Sequence, residues 1–420
     1  MSAQIDTSVQ PLWGQAVRAS YIERNALYWK RNLFIGVFGS FTTLLSLSML
    51  LPFLPLYVEQ LGVSSSSSIV QWSGVAFGAT FLGTAITSPI WGHLADRYGR
   101  KPMLVRAAIG MAVVMSLIGI AHSVIELVML RLVAGLVGGY ASAATVMVGT
   151  QAPTHRSGWA LGVLSMGALS GSLIGPLVGG FLPGVVGIRG TFFVGGGVIA
   201  IAALVSIFFI REDFDPALDG TRVKRKSDDG TMAMNRRLIV TLLVTAMMVL
   251  LANMSIEPII TVYIGQLGIP HDHLARTAGM VMASSAFGSM LTSARLGALA
   301  DRIGSGKVVV GCLLVTAAIM LPQAFVTQWW QLASLRLVMG MSMAGLLPAV
   351  TKRVRALVAE HRTGKTLGYL QSSTYAGQVI GPLIGGQIGA WVGLRDVFFV
   401  TAALLALCAG LNHWTNRQTA

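Results

Sequence analysis

The chain is 420 residues long, 54% hydrophobic and only 11% charged, with a mean hydropathy of +0.70. Water-soluble domains carry about a quarter charged residues, so most of this surface is made for lipid. The net charge of +14 would suit nucleic-acid binding in a soluble protein, but here the placement of the charges excludes that class.

Residues 1–30 mix Trp13, Tyr21 and Tyr28 with Arg18, Arg24 and Lys30, and suit a short helix on the membrane surface or a cytoplasmic tail. No removable signal peptide is expected, because no short basic region leads to a small-residue cleavage site. A span needs roughly 20 apolar residues. Such runs are predicted at 33–57, 69–91, 102–122, 124–149, 157–182 and 188–210. A stretch from Arg211 to Arg237 with seven basic and six acidic residues follows and reads as a solvated linker. Six more runs lie at 238–264, 273–296, 307–326, 329–351, 364–390 and 394–414. The expected division is an N-terminal segment 1–30, a bundle 31–210, a linker 211–237, a bundle 238–414 and a tail 415–420. Cys312 and Cys408 lie in apolar runs, far apart, and read as small buried hydrophobes.

The two halves repeat each other. GHLADRYG at 92–99 returns as GALADRIG at 297–304, and Gly74, Asp96 and Arg131 match Gly279, Asp301 and Arg336 at an offset of 205. GPLVGG at 175–180 matches GPLIGG at 381–386, with Gly175 and Pro176 answering to Gly381 and Pro382, at an offset of 206. Six spans per copy is an even number, so the copies share an orientation and are related by an axis along the membrane normal. Of the 30 Lys and Arg, Arg189, Arg276 and Arg395 fall on one side, and Arg131 and Arg336 within spans. All the rest lie on or at the other side, which the positive-inside rule makes cytoplasmic together with both termini.

In GHLADRYGRK at 92–101, Gly92 and Gly99 allow a tight reversal, and Asp96 can accept charge-assisted hydrogen bonds from Arg97, Arg100 or a nearby helix start, with Lys101 completing the basic cluster. Two readings fit: a latch between elements, or a solvated loop that only sets topology, since surface ion pairs contribute at most about 1 kcal/mol. Asp301 and Arg302 form the weaker copy, where only Lys307 remains of the basic pair. Arg131 inside a span costs about 2.5–3.5 kcal/mol on insertion scales; it either serves a site or snorkels to the surface near Glu126. Arg336 is its duplicate.

Glu257, in NMSIEPII at 253–260, is the one acidic residue placed well inside an apolar run. Ionised, it is expensive there, which suits a group that binds and releases a proton, unless it lies high enough to reach outside water. Pro258 is expected to break its helix locally, and Asn253 lies one turn back on the same face. Gly167, Gly171, Gly175, Pro176, Gly179 and Gly180 let helices approach closely. Gln371, Tyr375 and Gln378, at spacings of four and three, make one polar stripe that lipid would not tolerate. No G-x-x-x-x-G-K-[ST] loop supports ATP-driven work, and no HExxH or CxxC set implies a metal. His271 and His273 read as a solvated loop.

These motifs resemble the major facilitator superfamily. The resemblance is carried by GHLADRYGRK, by LRLVAGLVGG at 130–139 and by GALSGSLIGPLVGG at 167–180, and it covers about residues 31–410. Within that superfamily the chain is similar to the twelve-span drug:proton antiporter branch. The resemblance implies an all-α membrane protein of twelve transmembrane helices in two six-helix bundles, not an enzyme, needing no cofactor beyond a proton gradient. It further implies export of small amphiphilic drug-like compounds by alternating access at the inner membrane, as a monomer in the lipid bilayer. A proton-coupled metabolite or sugar carrier, or a non-transporting membrane sensor, are the alternatives. The resemblance also implies that Asp96 meets the start of the eleventh span near Thr363–Thr366, and that Arg131 tunes nearby protonatable groups. The first span, where an acid is common in that branch, has none.

Overall fold

The computed structural model describes residues 12–153, 155–214, 236–358 and 360–417, and the side chains of 12–26 and 360–364 lie outside that description. The linker expected at 211–237 falls mostly outside the described residues. Within them every regular element is helical, as lipid demands of chains that must satisfy their own backbone hydrogen bonds.

α1 (Leu12–Ser48) and α2 (Leu54–Gln60) make the first span, followed by α3 (Ser66–Tyr98) and α4 (Arg100–Ile118) as the second and third. The fourth is split into α5 (Val124–Val137) and α6 (Tyr140–Gln151), and α7 (Ser157–Phe181) and α8 (Pro183–Phe209) complete the first bundle. The second bundle repeats the order with α9 (Arg236–Gln266), α10 (Leu274–Ile303), α11 (Ser305–Gln323), the split pair α12 (Trp329–Met343) and α13 (Leu346–Leu357), α14 (Glu360–Trp391) and α15 (Leu394–Arg417). Among the described residues, nine spans are long and apolar enough to cross a membrane, two of them the split pairs α5–α6 and α12–α13 taken together. α1, α10 and α14 are long enough but more polar.

Two local expectations fail. The helix is not broken at Pro258: α9 runs through it to Gln266. A proline removes one hydrogen bond, and in apolar surroundings no water replaces the others, so the helix persists. The break falls instead at the equivalent Pro52, between α1 and α2, where the freed Pro52 carbonyl accepts a hydrogen bond from Thr261 Oγ1 at 2.9 Å. The segment before residue 31 is not separate from the first span either, since α1 is continuous from Leu12.

The duplication extends to buried detail. Tyr57 donates to the Ile118 carbonyl at 2.6 Å and packs its ring 4.9 Å from Phe192. Tyr263 donates to the Gln323 carbonyl at 2.9 Å, with its ring 5.3 Å from Phe398. Both tyrosines lie toward the end of the molecule opposite Asp96, and there the halves meet. A Cβ on Gly74 of α3 would run into the Pro382 carbonyl of α14, and one on Gly279 of α10 into the Pro176 carbonyl of α7. Gln71 Nε2 donates to Gln387 Oε1 at 3.2 Å across this seam, Arg276 lies 4.6 Å from the Phe181 ring, and His271 Nε2 is 2.9 Å from Glu59 Oε2. We call this the sealed end. These contacts between the halves all lie toward this end, whereas toward Asp96 Leu82, Ile86 and Ile90 of α3 and Phe287 and Leu291 of α10 are exposed. The molecule is therefore closed at one end and parted at the other.

Candidate functional site

The GHLADRYGRK stretch is mostly helix. α3 runs straight through Gly92, which has open space around it, and the reversal belongs to Gly99 alone, at φ +93°. The expectation that Gly92 helps to turn the chain is thus corrected: helical hydrogen bonding continues wherever the backbone permits it. Arg100 is 7% exposed; its Nη1 donates to the Ala95 carbonyl at 2.6 Å and its Nη2 to Asp96 Oδ1 at 2.9 Å. Asp96 itself is largely exposed, Arg97 stacks 5.3 Å from the neighbouring Tyr98 ring, and Lys101 joins the cluster through its backbone. Part of the expected partner, the start of the eleventh span, has side chains outside the described residues. In the second copy Gly304 turns the chain at φ +93°, Asp301 pairs with Lys352, and Arg302 is exposed.

A feature invisible in the local sequence completes this turn. Glu212, just past the sixth span, accepts from the Arg100 amide at 2.9 Å and the Lys101 amide at 2.6 Å, one on each carboxylate oxygen. A negative charge there complements the exposed donors and dipole of the α4 N-terminus. Phe214 packs over Gly99.

Arg131 does not snorkel. It is 2% exposed, donates from Nε to the Ala76 carbonyl at 3.2 Å and lies 5.4 Å from the Phe77 ring. Its Nη1 is buried without a partner.

Glu257 does not reach outside water. Only 7% exposed, it accepts a hydrogen bond at 3.0 Å from Nη2 of Arg336, which is wholly buried. One bond joins the pair, and Glu257 Oε2 and Arg336 Nε and Nη1 are left unsatisfied. The position equivalent to Glu257 in the first half is Leu51, so Arg131 has a carbonyl and a ring where Arg336 has a carboxylate. Two residues from Glu257, the Ser255 carbonyl lies where a Cβ on Gly385 would sit, and the neighbouring turn of α14 carries Pro382 and Gly386 into the seam between halves. The ion pair is thus one helix contact away from the surface along which the halves part.

The glycines of α7 divide into two faces. Gly167, Gly171, Gly175 and Gly179 press on the backbone of the first span, at Val37, Phe41, Leu45 and Met49, whereas Gly180 and the Pro176 carbonyl press on α10. In α14, Gly381 and Gly385 repeat the first face against α9, and Pro382 the second against α3. Gln371, Tyr375 and Gln378 continue the Pro382 and Gly386 face at helical spacing, toward the parted end. Gln371 is exposed there, Tyr375 and Gln378 half-buried, and Asn253 is half-buried on α9. The equivalent stripe of α7 is Ser165, Leu169 and Ser172, so the long polar side chains belong to the second half.

The family pattern described as Major Facilitator Superfamily matches residues 36–275 and 242–417. The chain belongs to the major facilitator superfamily. It is 42% identical over 377 residues to multidrug resistance protein MdtG of Salmonella paratyphi C, covering 90% of this chain and 93% of the relative. To MdtG of Rahnella sp. it is 40% identical over 393 residues, covering 94% and 95%. Among solved structures, a bacterial homologue of the human lysosomal transporter Spinster, inward-facing and occupied, superposes with a TM-score of 0.77 at 15% identity, covering 93% of this chain and 97% of that one. The nucleoside transporter NupG gives 0.73 at 12% identity, covering 92% and 98%. The structural likeness establishes the fold, and the sequence likeness places this facilitator beside MdtG.

Sequence reasoning also missed what holds the break in this facilitator's fourth span. Gly138 and Gly139, the latter at φ +106°, interrupt the helix and strand its carbonyls. Arg106 of the third span donates to the Val137 carbonyl at 2.9 Å and the Gly138 carbonyl at 3.2 Å, while its guanidinium lies 3.4 Å from the Trp91 ring centre. Trp91 Nε1 in turn donates to the Leu136 carbonyl at 2.7 Å. The second half has Leu296 and Gly311 at those positions. An arginine within an apolar run was the available signal. The missing partner of Glu257 had a signal too: one acid and two arginines lie inside spans, and a buried charge needs an opposite one.

Proposed function

We infer that this facilitator is a multidrug exporter that exchanges small amphiphilic compounds for protons by alternating access. The parted end, with Asp96 and both termini, faces the cytoplasm of a bacterial cell's inner membrane, and the functional unit is a monomer. Similarity to MdtG over nine-tenths of the chain supports the drug substrates and the membrane. The distribution of Lys and Arg supports the orientation.

One observation carries the coupling mechanism. Among the described residues, the one carboxylate deep in the second bundle, Glu257, is held by one hydrogen bond to Arg336, beside the helix contact that seals the molecule. An under-satisfied buried pair has two arrangements available: closed, as seen, or parted, with a proton on the carboxyl group and a different acceptor for the guanidinium. Proton binding and substrate binding compete for the same rearrangement, and the glycine faces let α7 and α14 slide and rock without losing contact. Asp96, held against Arg100 while its end is open, becomes free to latch that end when the halves rock together. The energetics suffice. One proton yields about 2.3 kcal/mol per 100 mV, and at about 1.4 kcal/mol per decade this supports roughly a forty-fold gradient of a neutral substrate.

The test is transport in inside-out vesicles with an imposed pH gradient. Wild-type protein should move a fluorescent amphiphilic cation only when the gradient is present, and Glu257→Gln should not respond to it. Unchanged gradient-driven transport by that variant removes Glu257 from the mechanism. The stripe of Gln371, Tyr375 and Gln378 also suits a hydroxyl-rich metabolite; a gradient that drives a sugar in with the proton would favour that carrier reading.

A further inference from the structure

A groove on the lipid-facing side of the second bundle has the form of a bound phospholipid. At the parted end, a cavity of about 510 Å³ is lined by Arg236, Arg237, Val240, Thr241, Leu411, Trp414 and Thr415. It shares Leu411 and Trp414 with a second hollow of about 850 Å³ that continues along α15 past Gly410, Leu407, Ala406 and Ala403. From Ala403 to Trp414 the helix rises about 16 Å, close to half the roughly 30 Å hydrocarbon core of a bilayer, the depth of one leaflet. The upper part of the groove is cationic and hydroxylated, and the lower part is apolar with small side chains at its floor.

The charges decide the class of lipid. Arg236 and Arg237 open α9 and are both exposed, and Arg417 follows Trp414 by three residues on the same face of α15. No acidic side chain among the described residues lines either part. Arginine presents its donors in a planar fork that suits phosphate oxygens, and its stem can lie along the apolar rim while the head stays at the interface. Trp414, 57% exposed, marks the headgroup level, where amphipathic rings collect. The first half keeps basic residues at the equivalent positions, Lys30, Arg31 and Arg211, but not the open channel or the tryptophan. At the equivalent positions, offset by 206, Leu204 stands for Gly410 and Phe208 for Trp414, and exposed Leu204 occupies the space that Gly410 leaves open.

We propose that the groove between α9 and α15 is a binding site for an anionic phospholipid, its phosphate held by Arg236 and Arg237 and one acyl chain laid over Gly410, Ala406 and Ala403. Occupied, the site ties together the start of the seventh span and the end of the twelfth, next to the chain that joins the two bundles. The seventh span is also the one that carries Glu257.

Full-length protein in mild detergent is titrated with phosphatidylglycerol and with phosphatidylcholine of the same chain length, and bound lipid is read by native mass spectrometry. Phosphatidylglycerol should bind more tightly. Arg236→Gln with Arg237→Gln should weaken it by about thirty-fold, the effect of two basic residues at an anionic headgroup, and leave phosphatidylcholine unchanged. Gly410→Leu, which fills the acyl channel, should weaken both lipids. Equal binding of the two lipids by wild-type protein overturns the proposal, as does full phosphatidylglycerol affinity in the double variant. Displacement by inorganic phosphate without any dependence on Gly410→Leu assigns the arginines to a free anion and overturns it as well. Should the double variant fail to fold, Gly410→Leu decides alone: undiminished lipid binding refutes the site.

Discussion

Removing the carboxylate of Glu257 is the most informative perturbation this facilitator offers. Arg336 is wholly buried, and its guanidinium donates through Nη2 to Glu257, while Nε and Nη1 already lack partners. Glu257→Gln therefore leaves an unpaired charge among apolar helices, and breaking a buried pair in this way costs about 3–5 kcal/mol. That is about two to four orders of magnitude in the folded-to-unfolded ratio. Replacing both groups, as Glu257→Leu with Arg336→Leu, removes the stranded charge and should recover most of the stability, because a buried pair is close to neutral against well-packed apolar residues. Stability, read by thermal or denaturant unfolding in detergent, thus returns in the double variant. Gradient-driven transport, read in vesicles, should be absent from both. This split between two readouts separates a coupling pair from a merely structural one. A double variant that pumps with wild-type dependence on the pH gradient would show that the pair only holds the fold, and the coupling argument would fall.

Asp96→Asn should abolish transport while folded protein accumulates in the membrane, since its partner Arg100 keeps the Ala95 carbonyl as acceptor; vesicle transport together with detergent-solubilised monomer content checks both halves of that statement. Gly279→Val forces a side chain into the Pro176 carbonyl across the seam. Overpacking of that kind costs about 1–3 kcal/mol, and because it acts only on the sealed arrangement, cysteines placed at Gln71 or Gln387 should become accessible from the Tyr57 end. Glu212→Gln loses the charged cap on α4, about 1 kcal/mol of stability by thermal shift, and should impair transport in the same direction as Asp96→Asn. Arg106→Met strands the carbonyls of Val137 and Gly138 and should cost about 1–3 kcal/mol, whereas the equivalent Gly311 tolerates alanine, having nothing within 4 Å.

The legible part of the site was the part written in short-range patterns. The α7 glycines announced close packing by their spacing, but not that Gly180 faces α10 while Gly179 faces the first span; the two are adjacent in sequence and just over a quarter of a turn apart on the helix. The polar stripe of α14 was visible as periodicity, and its exposure follows from where the halves separate. Glu257 stood out by its cost in lipid. Its pairing with Arg336 did not, because the partners are 79 residues apart and meet only when α9 and α12 cross at one height.

Hydropathy and the 205-residue repeat were enough to read an all-helical membrane chain built in two copies, because each is a one-dimensional property that lipid reads directly, and the motifs at 92–101, 130–139 and 167–180 carried the resemblance to the family. Tertiary structure alone decided which end is sealed, that the helix survives Pro258 but breaks at Pro52, that Glu212 caps the Gly99 turn from 112 residues away, and that a buried acid has an arginine for a partner. Those outcomes depend on the depth and rotation at which helices pack, and every one is a contact between segments whose separation in the chain leaves no local trace.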